Sequence, residues 1–403
     1  MPKIVIFKLS ELQDTAAEAV NVTEAQLTSK AIVANLALAA KSVQSVGGMC
    51  VDRSGNIYVS DDQDHVILKV NESGKINTLA GLAGTSGNNT ALQKVAAASA
   101  RFNQPKGLAC DRSGNIYVAD YGNNQIRKIA QDGYVSTFAG NGATTSGLVD
   151  ATLDALQSKF SHPSDVAVDY SGVVYVADTD NNAIRRIWGG NVLTIAGGVS
   201  GDGENVRASK ITGVNALFNS PGALTVDAKG NIFVADTGNN KIKKITPNGW
   251  VYLHSGSGTS GHALGTGTEP AYTCTYTSLR YMDVDTWGYL YVVDRDTANA
   301  YSRLVKVSPF GVASNIVDFH ETTTSYTGVD GVAVSPAGKV FVSIAVEDEY
   351  NSSSSSESEG NVSSSSSSSS EGNSSSSSSS SSEGVTSSSS SESVGNSSSS
   401  SSS

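Results

Sequence analysis

The stretch that decides the fold is "DRSGNIYVSD", which runs from Asp52 to Asp61 and returns as "DRSGNIYVAD" from Asp111 to Asp120. The glycine of this stretch recurs at intervals of about 58 residues, with a shorter last interval. The copies are marked by Gly55, Gly114, Gly172, Gly230, Gly288 and Gly338. Self-similarity at a fixed period of this length indicates a supersecondary unit that buries its apolar face only against its neighbours.

Each copy predicts four short strands. In the second copy, "GLACD" from Gly107 has small side chains that suit a crowded inner position, and "NIYVAD" alternates as a half-buried strand does. The turn "RSGN" between them places Gly114 where a positive φ is tolerated. The segments "QIRKIA" and "YVSTFAG" follow, separated by the hairpin signal "QDG". Such units, repeated radially, predict an all-β protein built of β-propeller blades.

The segment "FNQPKGLACDRSGNIYVADYGNNQIRKIAQDGYVSTFAG", from Phe102 to Gly140, resembles the NHL repeat. It follows the pattern P-x-G-[VLI]-A-V-D-x-x-G-N-[IL]-Y-V-A-D-x-x-N-x-[RK]-I nearly position by position. The second to fourth copies match closely, the first and fifth loosely, and the sixth keeps two strands. The resemblance implies a six-bladed β-propeller over residues 1–350. The blades are expected near residues 45–81, 100–140, 158–197, 216–256, 276–319 and 324–346.

The sixth copy stops after its second strand, Lys339–Ala345, and an open edge there would favour aggregation. Two N-terminal segments, Lys3–Leu9 and Glu18–Thr23, are predicted to complete this blade. A short helix over Leu12–Leu27 is the alternative, because alanine and glutamate are common there.

Composition limits the function classes. The net charge is −11, which argues against nucleic acid as a partner, because phosphate binding requires a basic surface. The N-terminal apolar run Ile4–Phe7 is too short for a signal peptide or a membrane span, so a cytoplasmic or virion location without membrane insertion is expected. Cys50 and Cys110 lie one position out of register in equivalent strands, so they are predicted to point to opposite faces and, like Cys274, to stay free thiols.

Long loops separate the blades and approach the mouth of a central channel. Each loop carries a phenylalanine and a proline that are expected to be structural: Phe102, Phe160 and Phe218, and Pro105, Pro163 and Pro221. The variable residues beside these prolines are the candidate binding residues, and they are Gln104, Lys106, His162, Ser164, Arg280 and Asp330. They predict an asymmetric polar surface for a protein or glycan partner. Ordinary variation of a solvated rim is the competing interpretation.

A propeller hydrolase or lyase is the alternative function. Such sites need several convergent metal ligands or acid–base groups, and only His162 of the five histidines falls at the mouth. No catalytic residue, metal or cofactor is therefore predicted. Asp120, Asp178 and Asp236 are expected to be turn caps, since calcium-loop spacing is absent. Basic pairs that begin at Arg127, Arg185 and Lys243 recur in the third strand of successive blades. This recurrence favours a framework or solvated-edge role over RNA binding.

Residues 351–403 form a low-complexity polyserine tail that is expected to be disordered, because Val362, Val385 and Val394 are its only aliphatic side chains. The tandem polyserine is similar to that of proteins carried on large tailed bacteriophages. This similarity implies a virion or host-surface adhesion component. The tail is predicted to leave from the mouth side, either as a tether or as a mobile cover.

Overall fold

The computed structural model describes residues 3–8, 43, 45–71, 75–88, 94–142, 146–203, 211–212, 216–265, 270–296, 298, 301–320 and 326–346. The predictions for Glu18–Thr23, for a helix over Leu12–Leu27 and for the serine tail lie outside these residues. The chain divides into two compact units, Met1–Ser353 and Ser354–Ser403. Every element named below belongs to the first unit.

The first three blades are antiparallel sheets whose strands follow one another along the chain. Blade 1 contains β2 (Val46–Val51), β3 (Ile57–Asp61), β4 (Val66–Val70) and β5 (Ile76–Ala80). Blade 2 contains β7 (Pro105–Cys110), β8 (Ile116–Asp120), β9 (Gln125–Ile129) and β10 (Tyr134–Ala139), with the short β6 (Val95–Ala96) on its outer edge. Blade 3 contains β11 (Pro163–Val168), β12 (Val174–Asp178), β13 (Ala183–Trp188) and β14 (Asn191–Gly197).

The remaining strands form two more blades and one smaller sheet. Blade 4 contains β16 (Pro221–Val226), β17 (Ile232–Asp236), β18 (Lys241–Ile245) and β19 (Trp250–Ser255), with β15 (Ile211–Thr212) on its edge. Blade 5 contains β20 (Leu279–Val284), β21 (Leu290–Asp296), β22 (Tyr301–Val307) and β23 (Ala313–His320). The terminal sheet contains β24 (Tyr326–Val334), β25 (Val340–Val346) and β1 (Lys3–Lys8). The described helices are single turns: Ala97–Ser99, Tyr121–Asn123, Ala155–Gln157, Thr179–Asn181, Thr237–Asn239 and Pro270–Thr273.

The fold is an all-β propeller. Five blades have the full four strands within the described residues, rather than the six complete blades predicted from the repeat count. Within the described residues the terminal sheet has three strands, because the sixth copy supplies two strands and the described N-terminal segment supplies one. That strand, β1, pairs antiparallel with β25, so Lys3 lies opposite Val346 and Lys8 lies opposite Phe341.

The innermost strands of the sheets surround a central channel. These strands are β2, β7, β11, β16, β20 and β24, and each contacts the next in turn, with β24 contacting β2. The terminal sheet also packs against blade 1, where fully buried Ile6 joins a cluster with Val46, Met49 and Phe341. The first and last described segments of the unit therefore meet in one sheet.

Apolar side chains fill the spaces between facing blades. Between blades 1 and 2, for example, Tyr58 and Ile67 pack against Leu108 and Val118 in one buried cluster. The loop aromatics join these clusters as predicted: Phe102, Phe160 and Phe218 are completely buried, and Tyr276 takes the equivalent place before blade 5. Burial of an aromatic side chain of this size stabilises the fold by roughly 1.5–3 kcal/mol. The long loops are thus anchored into the core at their C-terminal ends.

In blades 2 to 5, a buried aspartate at or near the end of the second strand pairs with a buried cation on the third strand. The pairs are Asp120–Arg127 at 3.2 Å, Asp178–Arg185 at 2.7 Å, Asp236–Lys243 at 2.7 Å and Asp294–Arg303 at 2.9 Å. The aspartates also accept backbone N–H groups of the preceding loop, as Asp120 does from Asn103. The prediction that they are turn caps was therefore incomplete, because they join strand, turn and loop through one buried charge. The framework role predicted for the basic residues is confirmed by their burial.

Candidate functional site

The ring has two different ends. At one end, called the loop face, the interblade loops lead into the inner strands. At the other end, called the turn face, tight turns leave the inner strands at Asp52, Asp111, Asp169, Asp227 and Asp285. The six candidate residues from the sequence lie at or near the start of an inner strand, and therefore on the loop face.

Four loop-face side chains form a continuous row across blades 2 and 3, called the Lys106 row. The Lys106 ammonium lies over the Tyr121 ring, 3.7 Å from its centre. The Tyr121 ring packs against His162 with 4.6 Å between the ring centres, and His162 Nδ1 lies 2.5 Å from a carboxylate oxygen of Asp180. Burial lowers the pKa of Lys106, which also lies near the charges of Asp62 and Arg280. The row combines a partly desolvated cation, an aromatic ring and an imidazole–carboxylate pair.

Gln104 and His162 occupy equivalent positions of the repeat, immediately before an inner strand begins. Both have a positive φ (51° and 49°), which non-glycine residues rarely adopt. Each is held by a side chain of the preceding blade: Gln104 N–H donates to His65 Nδ1, and His162 N–H donates to Asn124 Oδ1. The backbone at these positions is structural. Only the side chains are available for recognition.

The other three candidate residues differ in how strongly the fold uses them. Ser164 Oγ donates to Gly222 O at 2.8 Å, tying blade 3 to blade 4. Asp330 accepts a hydrogen bond from Arg295 at 2.6 Å. Arg280 is exposed, and no hydrogen-bond partner for its side chain exists among the described residues. The structure therefore brings Lys106 and His162 into one row, leaves Arg280 open to a ligand, and commits Ser164 and Asp330 to internal contacts.

A tyrosine links two blades that are not neighbours in the ring. Tyr281 of blade 5 donates a hydrogen bond from its hydroxyl to Val46 O of blade 1, at 2.7 Å. It reaches past the terminal sheet, which lies between these two blades in the ring. Burial of the phenol raises the pKa of Tyr281. Sequence inspection missed this residue, although a tyrosine among the small residues of the inner strands is a visible signal.

An opening into the channel lies on the turn face. A cavity of about 210 Å³ runs along the inner strands and is lined near its opening by Arg53, Arg112 and Tyr170. Deeper in the cavity lie Asp165, Thr225 and Asp283. None of the six candidate residues lines it. The cavity and the Lys106 row are therefore separate features at opposite ends of the ring.

Two carboxylates in the cavity have no paired cation among the described residues, unlike Asp120, Asp178, Asp236 and Asp294. Asp165 accepts the N–H groups of Leu224 and Val166, and Asp283 accepts those of Val334 and Val284 together with the Thr225 hydroxyl. Burial raises the pKa of Asp165 to about 8 and that of Asp283 to about 6. Each carboxylate therefore satisfies one backbone N–H group of its own strand and one of the neighbouring inner strand.

Cys50 and Cys110 form a disulfide in the cavity wall, with their Cα atoms 6.2 Å apart. The prediction of free thiols for these two residues was wrong. That prediction compared two equivalent strands as if their sheets were superimposed, and in that comparison a one-residue offset does place the side chains on opposite faces. Adjacent blades, however, pack with opposite faces toward each other, so the one-residue offset turns the two sulfur atoms together. Cys274 is a buried free thiol, as predicted.

Within the described ranges, no group of three or more His, Cys, Asp or Glu side chains is arranged to hold a metal ion. The described helices include none with the length and apolar character needed to cross a membrane.

Family comparisons agree with the repeat. Residues 102–129 match the NHL repeat, and residues 145–246 match the Teneurin NHL domain. The matches support an NHL-repeat propeller family. Mouse Teneurin-4 is 32% identical over 219 residues, which is 50% of this chain and 8% of Teneurin-4. Human Teneurin-1 is 29% identical over 177 residues, 40% of this chain and 6% of Teneurin-1.

A third relative is human NHL repeat-containing protein 2, which is 33% identical over 169 residues. That match covers 39% of this chain and 23% of the relative, so the chain spans a small part of each relative named here. Among solved structures, a gluconolactonase from Xanthomonas campestris gives a TM-score of 0.46 at 12% identity over 75% of this chain and 87% of its own. A TM-score this low carries no argument about activity.

Proposed function

We propose that this propeller is a non-enzymatic recognition module that binds a protein partner through its loop face. The observation that carries the proposal is the Lys106 row beside the unpartnered Arg280, set on blades whose framework is nearly identical. Partly desolvated cations and aromatic rings are the groups that dominate protein interfaces. The Tyr121 ring is already engaged by Lys106 and His162, which leaves no open stacking surface for a sugar and favours protein over glycan at this face.

The test is affinity capture with two matched double variants of the full chain. Lys106→Gln with Arg280→Gln removes two loop-face cations, and Lys75→Gln with Lys229→Gln removes two exposed cations at turns on the other face. The loop-face variant should weaken capture of the partner by about 100-fold, a loss of about 2.7 kcal/mol. The control should bind as the parent does. Equal binding by both variants would place the interface elsewhere.

A propeller hydrolase or lyase is the second candidate, and one observation favours it. A carboxylate beside an imidazole, as in the Asp180–His162 pair, is the arrangement that orients a general base. Under the recognition proposal, His162→Ala folds normally and binds its partner with only a small loss. An esterase or lyase activity that His162→Ala abolishes would establish the enzymatic alternative.

The proposal includes a closed ring in which the terminal sheet acts as the sixth blade. Its support is that β24 contacts the inner strands of both blade 1 and blade 5. The Cys50–Cys110 disulfide supports an oxidising location, such as an extracellular or virion surface, over the cytoplasm. A virion or host-surface adhesion role rests only on the polyserine composition of the tail, which lies outside the described residues.

A further inference from the structure

We propose that the cavity on the turn face binds one acidic sugar unit. Its carboxylate would be held by Arg53 and Arg112, and its hydroxyl groups would face Thr225 and Asp283. This site is independent of the loop-face proposal because none of the six loop-face candidate residues lines the cavity. The two arginines belong to the repeated stretch but are not required by its turn.

The turn is built by other residues. Asp52 Oδ1 accepts the N–H groups of Ser54 and Asn56, and Oδ2 accepts the Asn56 amide and the Tyr58 hydroxyl. The equivalent bonds converge on Asp111 in blade 2. The next residue makes none of these bonds and varies among the sheets: Arg53, Arg112, Tyr170, Ala228, Thr286 and Pro336. The arginines are therefore additions to the turn.

Both guanidinium groups are available to a ligand. Neither Arg53 nor Arg112 has a hydrogen-bond or ion-pair partner in the part of the chain that the structure describes. Asp52 and Asp111 cannot supply one, because each of their carboxylate oxygens already accepts two hydrogen bonds. Arg53 and Arg112 belong to adjacent blades and both line the cavity, and Arg112 lies over the Tyr170 ring at 4.2 Å. A planar guanidinium group matches the two oxygens of a carboxylate, so either arginine can receive the acid group of a ligand in the opening.

The deeper part of the cavity suits hydroxyl groups. A carboxylate offers about four acceptor positions. Asp165 uses two of them and Asp283 uses three, so acceptor capacity remains beside the Thr225 hydroxyl. Burial raises the pKa of Asp165 to about 8, so the protonated form of Asp165 is favoured near neutral pH, and raises that of Asp283 to about 6. A hydroxyl group can both donate and accept, so it fits either protonation state, whereas an ammonium group requires the ionised acid.

Size restricts the ligand to one unit. A cavity of 210 Å³ corresponds to about seven water molecules at liquid density, enough for one sugar ring with its carboxylate. Asp283 lies two residues before the rim, a depth of about 7 Å along an extended strand. Tyr170, half exposed at the rim, offers an aromatic face to the ring. The five turn aspartates give the opening a negative background, so we expect weak binding, with Kd on the order of 1 mM.

The experiment titrates the full chain with D-glucuronate and its neutral counterpart D-glucose, using saturation-transfer NMR. Glucuronate should bind at least about tenfold more tightly than glucose, and Arg53→Gln with Arg112→Gln should remove that difference. The control variant Lys75→Gln with Lys229→Gln removes two cations from turns on the same face outside the cavity, and it should leave glucuronate binding unchanged.

Four results would overturn the proposal. Glucose binding as tightly as glucuronate would remove the role of the carboxylate. Unchanged glucuronate binding by the arginine variant would place that binding elsewhere. If inorganic sulfate displaced glucuronate at an equal concentration, the cavity would be a simple anion site that does not recognise the sugar ring. Absence of any glucuronate signal at about ten times the expected Kd would exclude the site.

Discussion

At the scale of single residues, the channel is shaped by the inner-strand residue that lies seven positions before the turn glycine of each copy. These residues are Gly48, Gly107, Asp165, Ala223, Tyr281 and Gly331. Four of them are small, and the two large ones extend into the space that the small ones leave. The repeat pattern predicts small residues here, so the aspartate and the tyrosine are departures that a closer comparison of the copies would detect. What the sequence could not show is where their side chains end, because Asp165 contacts blade 4 and Tyr281 reaches blade 1.

Gly107→Ala should destabilise the protein severely. A Cβ atom at this position would lie 1.9 Å from Asp165 Oδ1 and 2.6 Å from Asp165 Cα, so the backbone of the neighbouring strand would have to move. We expect a loss of about 2–4 kcal/mol in the free energy of unfolding, measured by urea denaturation. The matched control is Gly87→Ala, whose Cβ atom would first meet Arg101 Cβ at 3.5 Å. Equal stability of the two variants would contradict the close contact.

Asp165→Asn should flatten the dependence of stability on pH. The folded-state pKa of Asp165 is raised to about 8, above its value of about 3.9 in an unfolded chain, because burial disfavours the charged form. The folded state therefore binds the extra proton between these pH values, and the stability it provides is lost as pH rises from about 4 to 8. The midpoint of urea unfolding should fall more steeply from pH 5 to pH 8.5 in the parent than in the variant. Parallel curves would show that Asp165 does not titrate in this range.

At the scale of elements, blades 2 to 5 each contain one buried ion pair between the second and third strands, and the loops determine how well that pair is satisfied. Arg185 pairs with Asp178 and also donates to Asp150, Lys159 O and Val149 O, and among the described residues only its Nε is without a partner. Its equivalent in blade 2, Arg127, leaves both Nε and Nη2 without a partner among those residues. The sequence predicted the strand periodicity that places these side chains. It did not predict the loop contacts, because the loops vary in length and sequence from one blade to the next.

Arg185→Met should therefore cost more stability than Arg127→Met. Removing Arg185 leaves the Asp178 charge buried without a cation, which costs about 3–5 kcal/mol in other buried pairs. Removing Arg127 has the same effect on Asp120 but also removes two unsatisfied donor atoms, which offsets about 1–3 kcal/mol of that cost. Chemical denaturation of both variants measures the difference. A larger loss for Arg127→Met would show that its donors have partners in solution.

At the scale of the whole molecule, the ring depends on contacts between blades, and these are what a repeat alignment represents least well. An alignment superimposes the copies, so that equivalent faces coincide. In the ring, one face of each blade packs against the opposite face of the next blade. This difference explains why the disulfide was missed while the all-β propeller was predicted from the turn glycines and strand alternation. The position of the cavity was missed for a related reason. The variable loops pointed to one end of the ring, whereas the cavity opens at the other end, where the tight turns lie.

Cys50→Ser with Cys110→Ser should lower the thermal midpoint. The disulfide joins residues 60 positions apart, and a cross-link of this span stabilises a fold by roughly 4 kcal/mol through restriction of the unfolded chain. A reducing agent should lower the midpoint of the parent protein toward that of the variant and leave the variant itself unaffected. A parent protein that titrates as two free thiols under native oxidising conditions would contradict the bond.

The pairing of β1 with β25 has a mechanical consequence. Lys3 lies opposite Val346, so the chain enters and leaves this sheet at the same corner. A pulling force applied to both ends of the propeller would load the hydrogen bonds of this pair one after another, as in opening a zipper, rather than all together in shear. The terminal sheet would be the first element to yield under tension. If the propeller is anchored through its tail, its ring is attached at its mechanically weakest seam, and a pull on the anchor would open the ring before it unfolds any blade.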